Sequence, residues 1–118
     1  MAAYTIAHEH QLDREGDWRL VRRTLGVRHF GVNLVEVPPG GHLPAHDESD
    51  PAQEELYLVL SGRPTIRVGD EEHVAEPGTF VRFDPEPVRS VVNHGDEPAR
   101  LLMVSAPTSS GFQPMEWA

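Results

Sequence analysis

Eleven prolines and ten glycines cut this 118-residue chain into short pieces, few of them long enough for an ordinary helix. Between the breaks lie runs rich in valine, leucine and phenylalanine. Residues 30–37 end at two prolines and two glycines, and residues 56–60 stop at Ser61–Gly62. Residues 65–68 alternate apolar with polar and meet Gly69–Asp70, a tight-turn signal that makes 72–75 the return strand of a hairpin. Residues 79–83, 89–92 and 100–104 follow at similar intervals. Strands recurring about every 8–12 residues between turn signals predict an all-β sandwich or barrel. Helical periodicity is absent, apart from a turn near residues 8–13.

The length suits one domain with one core, spanning 1–118, with the barrel core at about 25–106. Residues 1–17, with Tyr4 and Ile6 as apolar anchors, are expected to add an edge segment. The tail 107–118 carries Phe112, Met115 and Trp117, and is expected to pack back over the barrel or over a neighbouring subunit. No apolar run approaches the roughly 20 residues that span a bilayer, and the start lacks a signal-peptide core. The expectation is therefore a cytoplasmic protein with no membrane partner.

Composition restricts the chemistry. With no cysteine and no lysine (all ten basic residues are arginine), thiolate ligands, thiol nucleophiles and Schiff-base lysines are excluded. Proton transfer falls to histidine and carboxylates. A net charge of −9 repels nucleic acid. Arg14, Arg19, Arg22, Arg23 and Arg28 form the one candidate basic patch, and they read more simply as the wet face of strands.

The stretch 38–62 resembles the first motif of the cupin family. Gly40 or Gly41 opens it, His46 matches its first histidine, Glu55 its glutamate and Gly62 its closing glycine. The second motif is similar to Gly78, the proline-rich turn 84–87, Arg89 and Asn93. Together the two cover about two-thirds of the chain, in the right order. The resemblance implies an antiparallel double-sheet jelly-roll barrel, homodimeric, with a small-molecule site in its mouth. Metal-bearing members supply three histidines and a glutamate. Here Glu48 stands at the second histidine position and Arg89 at the third.

Strand alternation puts Glu55, Tyr57 and Val59 on one face, and Arg89, Val91 and Asn93 on another. The mouth is then expected to hold His46, Glu48, Glu55, Tyr57 and Arg89. Two readings follow. In one, Arg89 fills the metal's place, pairs with the carboxylates and holds the anionic group of a small ligand, with His46 as a candidate acid or base. A fixed guanidinium within about 5 Å of a dication would add several kcal/mol of repulsion, so this metal-free reading is favoured. In the other, His46, Glu48 and Glu55 bind iron, manganese, nickel or zinc for an isomerase- or dioxygenase-type reaction. His8, His10, His29, His42, His73 and His94 have no assigned partner.

Overall fold

The structure, a computed structural model, describes residues 3–118. Nine strands dominate it: β1 (Arg14–Glu15), β2 (Trp18–Arg19), β3 (Gly31–Val37), β4 (Gln53–Ser61), β5 (Thr65–Val68), β6 (Glu71–Val74), β7 (Phe80–Phe83), β8 (Arg89–Val92) and β9 (Ala99–Pro107). They form an antiparallel six-stranded sheet in the order β1-β2-β3-β9-β4-β7 and a three-stranded sheet β6-β5-β8. Residues 40–48 extend the smaller sheet without being a regular strand. Leu43 N–H donates to the Val91 carbonyl (2.8 Å), and His46 and Arg89 exchange both backbone bonds (3.0 and 2.9 Å).

The predicted all-β architecture is the observed one. Each predicted strand overlaps an observed one, and β4 and β9 run longer than expected because they pair with each other along their length. β1 lies at the edge of the larger sheet and pairs with β2, which joins β3 through Trp18–Val35 and Arg19–Leu34 pairing. A short helix, α1 (Val21–Leu25), was not expected. It ends at Gly26, whose φ of 77° caps the last turn.

Alternation decides what is buried. Val35 and Val37 of β3, Tyr57 and Val59 of β4, Ile66 of β5, Phe83 of β7, Val91 of β8, and Leu101 and Met103 of β9 meet in one cluster between the sheets. Phe112, Met115 and Trp117 all lie exposed, so within one chain the tail does not bury its apolar groups against the barrel. Near its root the tail is tied to the body by Gln53–Pro107 pairing and by the Thr108 N–H bond to the Ala52 carbonyl (2.9 Å).

Gly62, which closes the first motif, is required twice over. Its φ is 78°, and a Cβ there would lie 2.6 Å from both Ala99 Cα and the Pro98 carbonyl oxygen. Gly62→Ala is expected to cost about 3 kcal/mol of stability, and Gly69→Ala (φ 58° but open space around it) about 1 kcal/mol. Denaturant midpoints of the two variants check this. Equal losses would show that backbone conformation, and not the close approach to β9, demands glycine at 62.

Candidate functional site

Glu55 and Tyr57 point inward from β4, and the backbone ladder between residues 40–48 and β8 carries His46 and Glu48 to the same end of the barrel. All four line a cavity of about 420 Å³. His46 Nε2 lies 3.5 Å from Glu48 Oε1 and 3.7 Å from Glu55 Oε1. One ligand atom from each of the three residues falls within 4.8 Å of the others.

The imidazole is oriented by its far nitrogen, since Nδ1–H donates to the Pro44 carbonyl at 3.2 Å. In that tautomer Nε2 presents its lone pair to two carboxylates. Three electron-rich atoms converge there, a donor set that suits a bound cation.

Arg89 is not part of the cavity wall. Its side chain is 0% exposed. Nε and Nη2 both donate to Glu55 Oε1, at 3.1 and 2.7 Å. Nη1 donates to the carbonyls of Asp84, Pro85 and Pro87 at 3.1, 3.2 and 2.7 Å. The guanidinium carbon sits 4.9 Å from the centre of the Phe83 ring, a cation–π distance. The expected pairing of Arg89 with a carboxylate is present at Glu55, with the guanidinium buried and not open on the mouth. The turn between β7 and β8 wraps its carbonyls around the guanidinium and draws it behind Glu55, out of the mouth.

Glu55 Oε1 thus carries the internal bonds of that carboxylate, including one from the Tyr57 hydroxyl at 3.3 Å. Burial, and secondarily the Glu55 charge, push the Tyr57 hydroxyl well above its ordinary pKa, so it stays a neutral donor. Among the described residues Oε2 of Glu55 has no hydrogen-bond partner and remains available to a ligand.

The sequence reading missed the opposite wall. Trp18, Asn33 and Ser105 also line the cavity. Asn33 and Ser105 were findable, because each is the polar member of an otherwise apolar inward row, with Val35 and Val37 on β3 and with Leu101 and Met103 on β9. The other histidines lie elsewhere. His42 borders a separate hollow beside β8, His73 lines a cavity of about 510 Å³ between β5, β6 and β7, and His8 and His10 face each other with Nδ1 atoms 2.6 Å apart. Among the described residues, the metal-ligand cluster lies at the smaller cavity and not at the larger one, so the chemistry favours the smaller. The five N-terminal arginines do not make one stripe, as Arg19 is half-buried against Glu36 (3.8 Å) while Arg14, Arg22, Arg23 and Arg28 stay exposed.

A family profile described as "Cupin domain" matches residues 33–105. An uncharacterised protein of Streptomyces coelicolor is 34% identical over 87 residues, which cover 73% of this chain and 78% of that protein. A cupin protein from Bacteroides fragilis superposes with a TM-score of 0.82 at 21% identity, covering 99% of this chain and 94% of that one. A sugar phosphate isomerase of the cupin superfamily from Silicibacter pomeroyi gives a TM-score of 0.67 at 29% identity, over 77% of this chain and 59% of that one.

Proposed function

The chain belongs to the cupin domain family, and from that premise we propose that it binds a small anionic molecule through a divalent cation held by His46, Glu48 and Glu55. The observation that carries this is the convergence of the three donors on one cavity, whose wall Arg89 does not form because its guanidinium is buried against Glu55 and the 84–87 carbonyls. With Arg89 spent on Glu55 and three carbonyls, no guanidinium among the described residues lines the cavity to receive an anion. Glu48, Glu55 and Arg89 sum to one negative charge, which suits a cation and repels a free anion.

One imidazole and two carboxylates fit iron, manganese, nickel or zinc. The supporting contacts suit a metal as well. The Pro44 carbonyl fixes the histidine tautomer, and Arg89 with Tyr57 orients Glu55, as outer-shell partners do. When bound, such a cation would polarise an oxygen of the ligand as a Lewis acid. The remaining work belongs to the chain. Tyr57 offers a hydroxyl hydrogen, Asn33 and Ser105 offer polar groups to hydroxyls of the bound molecule, and Trp18 gives a flat apolar wall. Those features suit a phosphorylated or carboxylated sugar-like molecule. The Silicibacter pomeroyi neighbour, a sugar phosphate isomerase, is consistent with that class.

Titration calorimetry of metal-stripped protein with manganese or zinc tests the reading. One site per chain is expected, weakened at least about a hundredfold in Glu48→Gln and unchanged in His42→Ala. A sugar phosphate should then bind only the metal-loaded protein. Equal metal binding by Glu48→Gln, or sugar-phosphate binding by the stripped protein, would overturn it.

A further inference from the structure

The two sheets part along one side. β6 ends the smaller sheet and β7 ends the larger, and among the described residues neither strand pairs on its outer edge. Between them opens the cavity of about 510 Å³. Ile66 and Val68 of β5 line it from the smaller sheet, Val81 and Phe83 of β7 from the larger, so two apolar walls oppose each other. Register sets a polar group among them. Val91, Ile66 and His73 form a cross-strand row, and the first two lie in the core, so His73 leaves β6 on that same inward face. Because the larger sheet ends at β7, the imidazole stands at the open rim, with its side chain 62% exposed.

We infer that this cavity is a ligand site separate from that of His46, for an uncharged, flat aromatic molecule that donates one hydrogen bond, as a phenol does. Its volume is that of small-molecule pockets. Opposed apolar walls contact both faces of a flat ring, and covering that surface supplies the affinity. Charge selects against ions. Arg82 and Asp84, which also line the cavity, neutralise each other at 2.7 Å, and a Glu71 carboxylate oxygen lies 3.7 Å from His73 Nε2. An anion would meet that carboxylate, and a cation would leave water for apolar walls. The sense of the hydrogen bond follows from the same pair. The carboxylate favours the imidazole proton on Nε2, which leaves the Nδ1 lone pair to accept from the ligand. Phe83 meets Tyr57 edge-on (ring centres 4.9 Å apart), yet the two cavities share no lining residue.

Nuclear magnetic resonance of the full chain with p-cresol, p-methylanisole, p-toluate and p-methylbenzylamine tests this. The phenol p-cresol is expected to bind with a Kd below about 1 mM, shifting the amides of His73, Thr79 and Val81 and leaving those of Asn33 and Ser105 in place. The anisole, which keeps the ring but cannot donate, should bind about fivefold more weakly, and the two ionic analogues at least about tenfold more weakly. His73→Leu, at an exposed rim position, should leave the barrel folded, bring p-cresol down to the affinity of the anisole and leave the anisole unchanged. Absence of p-cresol binding at about 1 mM, shifts at Asn33 and Ser105 instead, an ionic analogue that binds as tightly, or a His73→Leu protein that still prefers p-cresol would each overturn the inference.

Discussion

Arg89→Met is expected to lower stability by about 3–5 kcal/mol, enough to move a thermal midpoint by roughly 10–20 °C. The substitution keeps much of the side-chain volume and the contact with Phe83 but removes the guanidinium on Glu55 Oε1 and the donor to three carbonyls. Glu55 is nearly covered, with an 11% exposed side chain, so its carboxylate would be left desolvated and unpaired. Truncating one partner of such a pair costs more than losing both. Glu55→Met combined with Arg89→Met should therefore recover about 2 kcal/mol, leaving the deficit of the turn carbonyls. Additive losses in that cycle would mean that the pair itself contributes nothing and that the turn alone needs the arginine.

The same residue marks the limit of what the sequence could say. Alternation assigned Glu55, Tyr57 and Val59 to one face, and Arg89, Val91 and Asn93 to another, and the burial pattern agrees at all six. A period of two fixes which way a side chain leaves the backbone, but not where a long one ends. The destination of the guanidinium is set by the path of residues 84–87, whose carbonyls turn inward. Trp18, Asn33 and Ser105 reach one cavity through the β2–β3–β9 pairing, which joins residues far apart in the chain. α1 is too short for periodicity to show, although the Gly26 cap and the arginines of its last turn were legible signals. Phe112, Met115 and Trp117 of the tail stay exposed in the single chain.

Matching His46, Glu48, Glu55, Arg89 and Asn93 to motif positions therefore joined two kinds of residue. His46, Glu48 and Glu55 face the cavity, and Arg89 and Asn93 hold the barrel end that presents them. Asn93 is 1% exposed. Its amide nitrogen donates to the carbonyls of Val37 (3.0 Å) and Glu97 (2.7 Å), and its amide oxygen accepts from Gly95 N–H (3.0 Å). One side chain so ties the end of β3 to the loop between β8 and β9. Asn93→Ala should cost about 2–4 kcal/mol, since the Val37 carbonyl is buried and loses its donor while the loop groups regain water. Asn93→Asp, nearly identical in shape, should cost more than alanine. It keeps the acceptor for Gly95 but sets a carboxylate oxygen against two carbonyls. Chemical denaturation near neutral pH ranks the three proteins. Aspartate tolerated better than alanine would show that filling the space, and not donating to Val37 and Glu97, is what position 93 requires.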